Sequence, residues 1–280
     1  GSSQADSDGV KGDLMLTEIG LAPTGEVINC TNASRELLGS ATAETDVTYA
    51  WSTLSGGTLS NVNGAVATAT EAGLYRLRVT RNTDGCFSDT TVMITEDLVL
   101  PEVVITQPQT IDCNFRQRTI MAETGTGFLY SWSTVDGSTV GSSDEYMLAI
   151  DGAGTYQLVI TDTANGCRDS AAVTAQLDTL APSAVIAPPG LLTCTDDVLT
   201  LDGSQSDEDL EFSWTWGTDD GNFVGLVTDL TPEIDQAGTY FITVNNLTTG
   251  CVATDTVRVL ADQVIPTIDV GATERTLTCT

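Results

Sequence analysis

Residues 237–260 read AGTYFITVNNLTTGCVATDTVRVL. AGTYFITVNN is a strong strand rich in aromatic and β-branched residues, LTTG is a turn, and CVATDTVRVL is a second strand running back. The same wording occurs as AGLYRLRVTRNTDGCFSDTTVMIT at 72–95 and as AGTYQLVITDTANGCRDSAAVTAQ at 153–176. Its cysteines, Cys86, Cys167 and Cys251, are spaced 81 and 84 residues apart, and Tyr75, Tyr156 and Tyr240 each precede one of them by 11. A second cysteine series, Cys30, Cys113, Cys194 and Cys279, sits in VINCT, TIDCN, LLTCT and TLTCT. A period near 83 with two cysteines per period makes the chain an array of small, alike domains, an organisation suited to holding and spanning.

Outward from that hairpin the third repeat reads as short strands throughout. LLTC leads to a TDD turn, VLTLDGSQS alternates apolar and polar residues, and EFSWTWGT does so again. With almost no helical periodicity, about seven strands and regular turn signals indicate an all-β chain of tandem β-sandwiches arranged as an extended head-to-tail array. The expected boundaries are repeat 1 at 1–99, repeat 2 at 100–180, repeat 3 at 181–264 and the start of a fourth at 265–280. The first ~15 residues read as a cloning tag or the tail of a preceding repeat, and the whole as a segment of a longer protein. The joints carry Pro101, Pro182 and Pro266 in short apolar linkers, which predicts a stiff string.

Trp51, Trp132 and Trp214 fall at similar distances after the first cysteine of each repeat and are assigned to the sandwich cores. Trp216, without a counterpart in that alignment, is the aromatic expected at a surface contact.

Composition excludes several classes. The 280 residues hold 39 acidic and 10 basic side chains, a formal charge of -29, with Lys11 the one lysine. Phosphate binding needs clustered cations, so nucleic acid is excluded and anionic membranes are disfavoured. No apolar run is long enough to span a membrane. The chain has no histidine, which removes Ser-His-Asp triads, His-ligated metals and the commonest general base. The acids cluster in turns rather than as pairs beside an aromatic cleft, so no enzyme is expected. Periodic cysteines without CxxC spacing argue for disulfides and an extracellular home.

No cofactor is expected, with Ca2+ the one candidate. Asp202, Asp207, Glu208 and Asp209 follow one strand of repeat 3, and Asp219 and Asp220 follow its tryptophan strand. Carboxylate-dense loops of this kind can gather the six to eight oxygens that Ca2+ takes. Asn32 and Asn246 head N-glycosylation sequons.

The wording LTLDGSQSDED, FSWTWGTDDG, AGTYFITV and ATDTVRV resembles a PKD-type immunoglobulin-like domain. Its recurrence with proline joints is similar to the repeats of very large secreted surface adhesins of Bacteroidetes-type bacteria, gliding-motility adhesins among them. The resemblance covers nearly the whole chain, although the usual WDFGDG is replaced by WSTLSGG, WSTVDGS and WGTDDGN. It implies a non-catalytic stalk or filament shaft at the cell surface, whose partners are neighbouring repeats, identical chains or surface glycans. A glycan- or protein-binding array, or accessory domains of a large secreted enzyme, are the alternatives. It also implies O-glycosylation at Thr90, Thr163, Ser170, Thr179 and Thr256, each of which follows an aspartate.

The cysteines admit two pairing schemes. The simpler closes each repeat on itself: Cys30–Cys86, Cys113–Cys167 and Cys194–Cys251. The second follows from the resemblance. In a PKD-like sandwich the two cysteines lie at opposite poles, roughly 20 Å apart along a strand, whereas a disulfide needs Cα atoms within about 7 Å. Head-to-tail stacking of such sandwiches implies Cys30–Cys167 and Cys113–Cys251, with Cys86 and Cys194 bonded to repeats outside this segment or left free; in the simpler scheme Cys279 awaits a partner in the fourth repeat.

Overall fold

A computed structural model of the chain describes residues 16–22, 27–41, 46–265, 267–268 and 271. Cys279 and the first 15 residues lie outside them. The described residues are all-β, without a helix, and their strands form several small sheets. They fall into two compact units: Gly1–Pro108 with Thr119–Ile150 and Gly154–Thr174, and Gln109–Arg118 with Asp151–Ala153 and Ala175–Thr280. The second repeat therefore contributes to both.

Each repeat is built around its GxY strand, at Gly73–Arg81, Gly154–Asp162 and Gly238–Asn246. Alternation buries Tyr75, Leu77 and Val79 in the first, Tyr156, Leu158 and Ile160 in the second, and Tyr240, Ile242 and Val244 in the third. Their neighbours along the strand face outward, as the two-residue period of a strand requires. The tryptophan strand pairs on one side, Val47–Gly56, Phe128–Thr134 or Phe212–Thr218, and the strand after the second cysteine on the other, Phe87–Asp97, Arg168–Ala175 or Val252–Val259. In the first repeat a second sheet, containing Leu16–Ala22, Arg35–Ala41, Val66–Ala69 and Leu59–Ser60, completes the sandwich. Leu37, Ala67 and Ala69 of that sheet pack with Trp51, Tyr75, Leu77 and Ile94 in one core.

The buried tyrosines anchor a turn at one end of the sheet. Tyr156 Oη accepts from Ser138 N–H at 2.9 Å, and Tyr240 Oη accepts from Asn222 N–H at 2.9 Å. Tyr75 Oη takes a hydrogen bond from the Thr58 backbone and donates to Glu71 O at 2.5 Å, as Tyr240 Oη donates to Gln236 O at 2.6 Å. Burial pushes the phenols of Tyr75 and Tyr240 above the ordinary tyrosine range. Gly57, Gly137 and Gly221 lie against these rings, where an added Cβ would fall 2.1 to 2.5 Å from a tyrosine atom.

The register corrects the tryptophan assignment in the third repeat. Trp51 is opposite Leu77 and Trp132 opposite Leu158, each partner two residues beyond the GxY tyrosine. In the third repeat the residue opposite Ile242 is Trp216, while Trp214 is opposite Val244. Trp216 therefore holds the core position, and Trp214 is the counterpart of Tyr49 and Tyr130. Counting from the cysteine misaligns them because the third repeat keeps only Leu199–Thr200 of the strand that runs Arg35–Ala41 in the first, and the Asp202–Asp209 loop that follows changes the spacing. The exchange has one visible cost. Trp51 Nε1 donates to Gly64 O at 3.1 Å and Trp132 Nε1 to Glu145 O at 2.9 Å, but Trp216 Nε1 is buried without a partner.

Candidate functional site

The chemistry of this chain is concentrated in its cysteines. Among the described residues, Cys30, Cys113 and Cys194 each directly follow a short strand that adds in parallel to the last strand of the same repeat. Val27–Asn29 pairs with Thr95–Asp97, Ile111–Asp112 with Leu177–Asp178, and Leu192–Thr193 with Ala261–Asp262. The residue immediately before the cysteine (Asn29, Asp112 or Thr193) stands opposite an aspartate in this register: Asp97, Asp178 or Asp262. That same residue organises a tight turn. Asn29, Asp112 and Thr193 donate their N–H to the carbonyls of Asn32, Phe115 and Asp196 at 3.0, 3.1 and 3.0 Å. Their side-chain oxygens accept the N–H of those three residues at 2.8, 2.7 and 3.0 Å. Short polar side chains favour this turn because they can cap their own backbone. We call this element the socket.

Arg35 and Arg118 brace the first two sockets by donating to Val27 O and Thr110 O, each at 2.9 Å through Nε. Arg118 also pairs with Asp112 at 3.2 Å. The third repeat has Leu199 at this place, packed on its core.

Each second-series cysteine ends a different turn, identical in all three repeats. Gly85, Gly166 and Gly250 donate to Arg81 O, Asp162 O and Asn246 O at 2.9, 2.7 and 2.8 Å. In return Arg81, Asp162 and Asn246 donate to the carbonyls of Cys86, Cys167 and Cys251 at 2.8, 2.9 and 2.9 Å. The glycines have φ of 76°, 73° and 71°, a left-handed conformation that glycine adopts without Cβ strain. The residue before each glycine caps the cysteine N–H: Asp84 at 3.1 Å, Asn165 at 2.9 Å and Thr249 at 3.4 Å. The Cys86 N–H, by donating to it, holds the Asp84 carboxyl below its ordinary range. We call this element the plug.

Plug enters socket twice. Cys167 is bonded to Cys30 with Cα atoms 4.9 Å apart, and Cys251 to Cys113 at 5.0 Å. The first bond lies in one compact unit and the second in the other. Each joins adjacent repeats, as in the second of the two pairing schemes. Both plug sulfurs are fully enclosed, Cys167 at 0% and Cys251 at 1% exposure. Around the first bond the buried Asn165 amide donates to Asp97 Oδ1 at 3.0 Å and to Val99 O at 2.9 Å. Around the second, Asn114 N–H donates to Thr249 O at 3.0 Å. An added Cβ on Gly166 would fall 1.8 Å from Thr31 Oγ1, and one on Gly250 would fall 2.0 Å from Asn114 Oδ1. Glycine is thus required twice over at the plug tip, for its φ and for the closeness of the socket. Sequence reading identified the cysteines but missed Asn165, Thr249 and the socket aspartates. Their signal was present as a polar residue two before each plug cysteine and an aspartate four before each joint proline.

The acidic loops of the third repeat do not converge on one point. Among the described residues no group of three or more His, Cys, Asp or Glu is placed to hold a metal ion. The acidic loops use their oxygens on the backbone. Asp202 accepts from Ser204 N–H at 3.0 Å and from its hydroxyl at 2.6 Å, bonds that lower its pKa. Asp207 accepts from Ser183 N–H at 2.7 Å and Asp220 from Thr239 N–H at 2.6 Å. Asp209 and Asp219 enter through their main chains, to Phe212 N–H and Thr239 O. Of the candidate glycosylation positions, Thr163, Ser170, Thr179 and Thr256 are exposed and Thr90 is half-buried. Thr163 already donates its hydroxyl to Gly127 O at 2.7 Å. Asn32 is exposed in the first socket, and Asn246 uses its Oδ1 to cap Thr248 and Thr249.

No protein-family model matches the chain, and no curated protein matches it. Solved tandem-domain structures are similar to it at low identity. Extracellular domains 3–5 of Drosophila OTK align at 13% identity over 90% of this chain and 98% of that one, with a TM-score of 0.31. The three N-terminal domains of the bacteriophage RB49 highly immunogenic outer capsid protein (Hoc) align at 13% over 90% and 100%, TM-score 0.35. The titin I-band fragment I67–I69 aligns at 11% over 82% and 92%, TM-score 0.34.

Proposed function

We propose that this chain is a load-bearing segment of a long extracellular surface protein, a stalk or adhesin shaft whose repeats are covalently stapled to their neighbours. The carrying observation is that each disulfide joins one repeat to the next, with separations of 137 and 138 residues, rather than closing a repeat on itself. A bond within a repeat stabilises that repeat alone. A bond between repeats also fixes how far the string lengthens under tension, which is a mechanical property. The array of small sandwiches, the charge of -29 and the PKD-like wording fit a secreted adhesin of the gliding type. In that reading the exposed Thr163, Ser170, Thr179 and Thr256 carry O-glycans, and the domains follow the repeat boundaries at 99, 180 and 264. The test is a non-reduced peptide map of the native protein, cleaved at Asp and Glu. Peptides joining Cys30 to Cys167 and Cys113 to Cys251 are expected. A Cys113–Cys167 peptide would sink the proposal.

A glycan-binding role has one specific observation behind it. Phe212, Trp214, Trp216, Val227 and Thr228 line a groove of about 420 Å³ on the third repeat. Loss of polysaccharide binding in Trp214→Ala, with the fold intact, would establish that reading.

A further inference from the structure

The groove on the third repeat opens where the other two repeats are closed. In all three, the residue 14 positions after the core tryptophan, Ala65, Tyr146 or Leu230, accepts a backbone N–H. The donors are Gly39, Ala122 and Gly203, at 2.7, 2.9 and 2.9 Å. In the first two repeats the carbonyls one and three residues earlier close on the tryptophan. Trp51 donates its N–H to Val62 O at 2.8 Å and its Nε1–H to Gly64 O at 3.1 Å. Trp132 donates in the same way to Ser143 O at 2.8 Å and to Glu145 O at 2.9 Å. Val227 and Asp229 hold these two places in the third repeat, at the same distance along the chain. Neither carbonyl closes on the indole. Trp216 Nε1 is buried without a partner, and among the described residues no backbone carbonyl takes its N–H. The bonds from Leu247 N–H to Glu211 O and from Asp219 N–H to Thr239 O fix the alternation of this strand, and it puts the Trp216 N–H on the free edge. The ring itself has the seat of Trp51. An added Cβ would fall 2.8 Å from Trp216 Cζ2 on Gly203 and 3.4 Å from Trp51 Cζ2 on Gly39. What differs is the loop, which leaves about 420 Å³ between Phe212–Trp216 and Val227 with Thr228.

We infer that this groove is a docking site for a cationic peptide segment of a partner protein. That segment supplies Trp216 with the two carbonyls that Val62 and Gly64, or Ser143 and Glu145, supply within their own repeats. The two donors set what fits. Both are N–H groups, so the occupant must present two acceptors, and a buried N–H left without one costs free energy until the groove is filled. Carbonyls two residues apart on a peptide fill the same seat twice elsewhere in the chain. Charge sets the rest. No Lys or Arg stands between Arg168 and Arg258, whereas the exposed Asp209, Glu211, Asp219, Asp220 and Asp229 flank the groove residues in sequence. Such a field draws in a peptide carrying Lys or Arg and repels an acidic one, a second copy of this chain included. The inference stands apart from the stapling, since no bonded cysteine lines the groove. It makes the third repeat a point where the shaft takes hold of another protein.

The test is NMR of the whole oxidised chain labelled with nitrogen-15, whose four tryptophans give four indole N–H signals. The probe is a synthetic peptide of residues 61–67, Asn-Val-Asn-Gly-Ala-Val-Ala, with two lysines at each end. Titration is expected to move the Trp216 indole and amide signals and to leave those of Trp51 and Trp132 in place. The same peptide with glutamates for the lysines should bind about tenfold more weakly. Trp216→Phe keeps a ring in the core, removes the Nε1 donor and should weaken the lysine peptide about fivefold. If the lysine peptide leaves Trp216 unmoved while the signals of the folded chain persist, the docking site is refuted. If the neutral sugar cellohexaose moves Trp216 and the peptide does not, the groove takes glycan instead. Equal binding of the two peptides would overturn the choice of a cationic partner. Coupling across a hydrogen bond from Trp216 N–H to the Val227 carbonyl in the free protein would show a loop closed on itself, with no site left. Peptide maps of the same sample report the two disulfides, so the stalk reading stands or fails separately.

Discussion

Pulling the chain by its ends gives the most direct test of stapling. In the oxidised protein the shortest covalent path from Cys30 to Cys251 does not follow the sequence. It crosses from Cys30 to Cys167, runs back along the chain to Cys113, and crosses to Cys251. That path holds about 54 residues, and at up to about 3.6 Å per residue it spans at most about 190 Å. The reduced chain between the same points holds about 220 residues and reaches about 800 Å. The second repeat is the only one whose interior lies on the oxidised path. Single-molecule force spectroscopy of the oxidised protein should therefore show one major release of under about 200 Å between these cysteines, from the second repeat. With reductant, three releases of full-repeat size should appear. Cys167→Ser should open the first repeat to force while the Cys113–Cys251 lock stays closed. Chain-entropy arguments add that each bond closes a loop of nearly 140 residues and destabilises the unfolded chain by about 5 kcal/mol. Three full-length releases in the oxidised protein would refute the reasoning. So would releases of no more than about 27 residues from each repeat, the signature of bonds closed within repeats.

Trp216→Ala should destabilise the third repeat by about 3 kcal/mol in urea unfolding, and Trp214→Ala by markedly less, because register gives Trp216 the place of the buried Trp51 and Trp132. Equal losses, or a larger one for Trp214, would contradict that register. The carboxyl of Asp89 is held below its ordinary value of 3.8 chiefly by hydrogen bonds from Arg78, at 2.7 Å to each oxygen. Its pKa is lower folded than unfolded, so the unfolded chain binds the proton first. The pair then contributes stability above about pH 4 and loses it as pH falls through the folded value. Acid titration of Asp89→Asn should show a shallower loss of first-repeat stability below pH 4 than the unaltered protein, and an unchanged slope would exclude the pair as a contributor.

Much of the fold was legible because it depends on local order. Alternation about Tyr75, Tyr156 and Tyr240 specifies a strand with one buried face wherever that wording stands. The tryptophan assignment failed in the third repeat because it counted along the chain from a cysteine. A loop of different length intervenes there, and only cross-strand register shows which indole faces Ile242. Where the acidic side chains of the third repeat point was hidden for a related reason. Asp202, Asp207 and Asp220 are close in sequence, but each is turned to a different backbone N–H before it can share an ion.

From the sequence alone come the all-β class, the repeat and the presence of two cysteines in each period, since all three are written in periodicity and composition. It left two pairings for those cysteines. Tertiary structure decided between them, because a disulfide forms only where two backbones approach within a few ångströms. In this chain that approach is made by the Gly166 and Gly250 turns entering the sockets of the preceding repeats, about 137 residues away along the chain.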